Sequence, residues 1–250
     1  MKFFAVFCAA AVLASCSNSS PRNAPAAAPA PAVDPATVGT ISGQVVLEGT
    51  APGMDVIRLD GDPKCVALSL GEERRTEHLV VGEGNRLRNV FVYVKDGLQG
   101  GLYPVPAEPV VLDQQKCWYV PRVIGVQVGQ QLTIRNSDPL LHNVRAEGQI
   151  NQPFDVGTPI QGMEVKRTFS TREVMVPFKC NVHAWMNAFV GVVEHPFFAV
   201  TDSDGRFAIP KLPPGTYTLE IWHERLGLQT QQVTVAAKGT KDVTFTYKAS

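Results

Sequence analysis

Period-two alternation of apolar and polar residues recurs along the chain, the mark of half-buried strands rather than helices. Near the carboxyl end, Tyr217, Leu219 and Ile221 alternate with Thr218, Glu220 and Trp222. They follow a strand, an Asp/Gly turn and a strand over residues 198–209, then a Pro-Pro-Gly turn at 213–215. Two more strands are predicted near residues 231–235 and 242–247. In the middle, residues 126–138 read as a strand, a Gly129-centred turn and a second strand, which leads into Pro139, Leu140, Leu141 and His142. Val174, Val176, Phe178 and Cys180 then alternate with Glu173, Met175, Pro177 and Lys179, so a strand is expected to deliver Cys180 inward.

The amino terminus breaks this pattern twice. Residues 3–13 form an apolar run after Lys2, too short to span a bilayer and readable as a secretory signal. The run ends in Leu13, Ala14, Ser15 and Cys16, which resembles the lipobox of bacterial lipoproteins; an ordinary signal peptide with a nearby cysteine is the plainer alternative. The lipobox resemblance implies residues 1–15 as signal and an acylated Cys16, hence stable membrane anchoring. With Ser17 rather than Asp next, it also implies sorting to the outer membrane, facing the periplasm. Residues 16–38 are then the lipidated cysteine and a Pro/Ala-rich linker without apolar periodicity, expected to be a tether or a passive spacer. As polyproline at about 3.1 Å per residue it would reach roughly 65 Å.

Candidate chemistry concentrates at Cys180, Asn181, Val182, His183, Ala184, Trp185 and Met186, read together with His142. A thiolate, two imidazoles and a thioether form the donor set of a type 1 copper site, in which two His and one Cys lie in a plane and a distant Met completes the set. A strand that ends at Cys180 and turns at once can bring positions three and six later back to one point. Structural zinc would normally require a further thiolate, nitrogen or carboxylate and has little use for a thioether. The segments VGQQLTIRNSDPLLHNV (residues 128–144) and CNVHAWM (residues 180–186) resemble the first-His segment and the short Cys-His-Met loop of the cupredoxin family. This resemblance covers residues 108–195. It implies a Greek-key β-sandwich with one type 1 copper, equatorial His142, Cys180 and His183, axial Met186, and Asn143 bracing the ligand loops. It further implies an electron port at the solvent edge of His183, amid Pro139, Leu140, Leu141 and Trp185. A degenerate, metal-free cupredoxin is the competing reading.

The segment TDSDGRFAIPKLPPGTYTLEI (residues 201–221) resembles the carboxypeptidase-regulatory or transthyretin-like β-sandwich. That family opens on an ISGxV strand. Its match stands far upstream, at residues 39–47, with residues 87–94 as the second strand. The fold class expected is therefore all-β, with the cupredoxin-like domain (108–197) inserted between two parts (39–107 and 198–250) of a transthyretin-like sandwich. Asp202, Ser203, Asp204 and Gly205 lack the carboxylate spacing of a calcium loop and read as a turn.

With Cys8 in the signal, Cys16 lipidated and Cys180 on metal, Cys65 and Cys117 remain either as a disulfide closing a loop of about fifty residues or as two buried thiols. Only five His occur, too few for the additional copper centres of multicopper oxidases or copper nitrite reductases. No nucleophile, phosphate-loop or paired acid/base motif stands out, so the chain is not expected to be an enzyme by itself. Loss of Lys2 with the signal leaves 22 basic against 23 acidic residues, and no nucleic-acid partner is expected. His195 and His223 read as structural, with a second metal site as the sharper alternative; His78 reads as part of a solvated loop. The function expected is one-electron transfer to a transient redox protein partner. The rival is a cell-envelope binding module with a copper-buffering, sensing or degenerate site.

Overall fold

The computed structural model describes residues 28–249; the signal segment, Cys16 and the first part of the linker lie outside the described residues. In chain order the elements are β1 (Gly39–Glu48), α1 (Pro63–Leu68), β2 (Phe91–Asp96), β3 (Val110–Gln114), β4 (Tyr119–Val120), β5 (Val123–Gln127), β6 (Leu132–Asn136), β7 (His142–Ala146) and β8 (Phe154–Thr158). There follow β9 (Glu164–Arg167), β10 (Glu173–Lys179), β11 (Asn187–Val193), β12 (Phe198–Val200), β13 (Arg206–Leu212), β14 (Gly215–His223), β15 (Gly227–Val235) and β16 (Thr240–Lys248).

Two cores organise these strands into two sandwiches. The outer sandwich faces the sheet β13-β1-β16 against β12-β2-β14-β15. Its core holds Ile41, Val45, Val92, Ile209, Leu219, Val233 and Phe245, the inward positions of the alternating runs. The inner sandwich faces β5-β11-β10-β7-β8 against β4-β3-β6-β9. Its core holds Leu112, Ile124, Ile134, Val144, Phe178 and Val190. All its strands fall between β2 and β12 in the chain, so the outer sandwich is built from segments on either side of it.

Glycine makes the seam between the sandwiches. Gly125 and Gly191 face each other in the parallel β5–β11 pair. A Cβ on Gly191 would stand 2.5 Å from the Phe91 ring, and one on Gly125 2.2 Å from that of Phe198. The missing side chains thus leave a slot that aromatic rings of the outer sandwich fill. Beside it, Arg122 donates to Glu224 through Nε (2.7 Å) and Nη2 (2.8 Å), a buried two-pronged pair that fixes relative orientation.

Three expectations are corrected here. Part of residues 39–107 serves the inner sandwich: Leu59 and Cys65 belong to its core, and the Trp118 indole donates to Glu77 (2.7 Å). His78, expected in a solvated loop, keeps its side chain 41% exposed and also meets Glu224 (3.1 Å). The segment holds too few apolar residues to build a core of its own and shelters against a finished one. Second, the linker docks before its end: Ala30 N–H donates to Leu102 O (2.9 Å), and Pro31, Val33 and Val38 line an apolar cleft with Tyr103 and Phe197. Third, strict alternation along β10 fails at a bulge between Glu173 and Val176. Met175 adopts φ 71° and is buried at the seam, while buried Glu173 accepts the N–H groups of Gln149 and Asn151.

Candidate metal centre

The site forms at one end of the inner sandwich, where β7 begins and β10 ends. Asn136 closes the loop before β7: its side-chain N–H2 donates to Leu140 O (2.8 Å) and Thr158 O (2.6 Å), and its Oδ1 accepts the Asp138 N–H (3.0 Å). Asp138 then receives the N–H groups of Lys116 and Cys117 (2.7 Å each). Both of these residues have positive φ, so the carboxylate stabilises a turn that their side chains disfavour. The cysteine loop closes on itself, Cys180 N–H donating to Met186 O (3.2 Å) and Met186 N–H to His183 O (2.9 Å). Asn143 ties the two loops together. Its Oδ1 accepts the Asn181 N–H (2.7 Å) and faces Cys180 Sγ (3.4 Å), and its Nδ2 donates to Asp155 (2.6 Å).

These bonds bring His142, Cys180 and His183 together. Their ligand atoms lie within 4.8 Å of one another, and the residues are 0%, 4% and 1% exposed. The two Nδ1 atoms are 3.0 Å apart; Cys180 Sγ is 3.9 Å from His183 Nδ1 and accepts the His183 N–H (3.4 Å). Burial opposes ionisation of the thiol, but hydrogen bonds to His142 and His183 outweigh it and bring its pKa down to about 5. The thiolate, the form that binds metal, is therefore favoured at neutral pH. Burial also depresses both imidazoles, and the bonds to Asp138, Asp62 and Cys180 more than reverse this, raising both pKa values. Met186 is 1% exposed in the same core. One soft thiolate and two imidazole nitrogens fit copper better than a hard oxygen-seeking cation.

The expected solvent edge of His183 is absent from the fold. His183 Nε2 donates to Asp62 Oδ2 (3.1 Å), and α1 with its Cys65–Cys117 disulfide lies against it: both sulfurs are within 4.8 Å of a His183 nitrogen. Leu140 is buried too, leaving Pro139 and Leu141 exposed and Trp185 partly exposed, its indole donating to Cys117 O (3.0 Å). Sequence reasoning missed Asp62 and Asp138. The position of Asp138, four before His142, was a usable signal; nothing local marks Asp62. His195 and His223 lie in the outer sandwich, outside the three ligand groupings found among the described residues.

Residues 186–248 match the carboxypeptidase regulatory-like domain family. The match covers β12 to β16 of the outer sandwich, while its first residues run through β11, which is bonded into the inner sandwich by β5 and β10. The outer sandwich also takes in β1 and β2, upstream of the matched residues. Among solved structures, a copper-containing nitrite reductase from Thermus scotoductus is 21% identical over 41% of this chain and 25% of its own, with a TM-score of 0.33. The chain thus spans a quarter of that protein's length. A reduced amicyanin variant is 23% identical over 35% of this chain and 85% of its own (TM-score 0.31). A purple cupredoxin from Nitrosopumilus maritimus is 18% identical over 34% and 97% (TM-score 0.29). Comparison with curated proteins gave no match.

Proposed function

We propose that the inner sandwich binds one type 1 copper and that the protein is a one-electron carrier without catalytic chemistry of its own. The convergence of Cys180 Sγ with the Nδ1 atoms of His142 and His183 in a buried pocket carries this reading. His142, Cys180 and His183 would be the equatorial ligands, Met186 the axial one, and Asn143 the brace. Bound copper would supply the one-electron couple. The chain's part is to hold a thiolate and two fixed imidazoles in a dry, braced pocket, so that little rearranges when charge changes. The working context proposed is the bacterial cell envelope, through an acylated Cys16 on the outer membrane facing the periplasm, with a transient redox protein as partner and no nucleic acid.

Titrating the full chain with Cu(II) while recording visible absorption and electron paramagnetic resonance tests this. An intense thiolate-to-copper band with narrow hyperfine splitting, abolished by Cys180→Ser, is the expected result; folded protein with no such band would refute the site. Met186→Leu should keep the band and raise the reduction potential, since loss of the thioether disfavours Cu(II) more than Cu(I). A second reading, copper retention rather than electron exchange, draws support from the covering of His183 by Asp62 and α1. Slow exchange with small redox proteins together with very tight Cu(I) binding would favour it.

A further inference from the structure

Each imidazole of the cluster is backed by a carboxylate. His142 Nε2 lies 2.9 Å from Asp138 Oδ2, and His183 Nε2 3.1 Å from Asp62 Oδ2, while both Nδ1 atoms face the interior beside Cys180. An imidazole has one N–H and one lone pair in its neutral form, and a carboxylate can only accept. With the proton held on Nε2, the lone pair is on Nδ1. We propose that Asp62 and Asp138 are paired positioning residues for the metal centre: they fix both imidazoles as Nε2–H tautomers, and their negative charge favours the oxidised metal. This deepens the copper reading and rests on it for its redox half only.

Neither carboxylate is free to turn elsewhere. Asp138 is 2% exposed, and its oxygens also take the N–H groups of Lys116 and Cys117. Asp62 caps α1 through Oδ1, which accepts from Lys64 (2.9 Å) and Cys65 (3.4 Å), and this leaves Oδ2 for His183. The Cys65–Cys117 disulfide joins the two halves, one sulfur beside the cap that Asp62 makes and the other on the turn that Asp138 holds. A continuous circuit therefore runs from His142 through Asp138, Cys117, Cys65 and Asp62 to His183. The circuit gives a role to the cross-link between α1 and the turn before β4. Hydrogen-bond partners behind ligating histidines orient the ring and raise its donor strength, and their loss typically costs about 10–100-fold in metal affinity.

Asp62→Asn is the informative variant, since Asn caps a helix about as well as Asp, while its amide nitrogen, a donor, cannot accept from His183 Nε2, so the charge and this one bond are lost together. In the copper-loaded full chain we expect the ratio of Cu(II) to Cu(I) affinity to fall about tenfold, a rise of ~59 mV in reduction potential for one electron. Asp62→Glu should restore most of it, and Glu164→Gln, at an exposed ion pair away from the site, should change nothing. A copper-free readout separates this proposal from the copper reading. Nitrogen-15 spectra of the metal-free protein should show His142 and His183 each carrying a proton on Nε2, any further proton being shared between the two Nδ1 atoms 3.0 Å apart, with the His183 Nε2–H population falling in Asp62→Ala. His183 lacking a proton on Nε2 in the unaltered protein would overturn the proposal whether or not copper binds. So would an unchanged potential in Asp62→Asn when the absorption band is normal.

Discussion

Four buried or largely buried histidines divide evenly between the two sandwiches, and their surroundings separate two uses of one side chain. In the outer sandwich, His195 Nε2 donates to Val94 O (2.8 Å) and its Nδ1 accepts the Phe197 N–H (3.2 Å). His223 Nδ1 accepts the Arg225 N–H (3.2 Å) and its ring lies against Tyr247. Burial pushes both pKa values down to about 4. In the inner sandwich, His142 and His183 spend Nε2 on carboxylates and direct Nδ1 at a thiol, and their pKa values rise. Burial alone thus says little about a histidine's task. The destination of its second nitrogen decides.

The sharpest way to break this contrast is a pair of substitutions. His142→Ala should abolish the copper absorption band while leaving a folded protein, and His223→Ala should leave the band untouched while lowering the melting temperature. A changed band in His223→Ala would join the two sets. Acid offers a second lever, with the sign set by the neutral form that the outer sandwich requires. Between pH about 6.5 and about 4 the unfolded chain protonates His195 and His223 while the folded chain does not, so stability is lost as pH falls. Each could contribute up to about 3 kcal/mol, and denaturant melts of the metal-free protein at pH 7 and 4.5 would read it. The smallest effect belongs to the seam. Gly191→Ala drives a Cβ into the Phe91 ring and should cost about 1–3 kcal/mol with no spectral change at the copper; a shifted spectrum would mean that the sandwiches communicate.

The all-β class was legible because alternation at Tyr217, Leu219 and Ile221, or at Val176 and Phe178, carries its own inward direction. The ligand candidates were legible because Cys180, His183 and Met186 are near in sequence and their chemistry is distinctive. What failed to show was anything set by distant partners. Asp62 caps α1 in the fold, and only the fold reveals that its second oxygen meets His183, 121 residues away. The bulge at Met175 likewise has no local signature, since a period-two pattern cannot announce the residue that breaks it. Gly125 and Gly191 are ordinary strand glycines until Phe198 and Phe91 are laid upon them.

The placement of β1 governs the order in which this molecule can assemble. It is the middle strand of its sheet, bonded to β13 on one side and in parallel to β16 on the other. The Ser42 hydroxyl donates to Asp242, 200 residues downstream. Contacts so remote in sequence are slow to form, whereas the inner sandwich finds nearly all its strand partners between β3 and β11. A growing chain can therefore complete its metal-site sandwich while its earliest strand still waits unpaired. Loss of β16 alone would leave β1 with a bare edge, open to the strands of other molecules, so one of the two ends of the described fold shields the other.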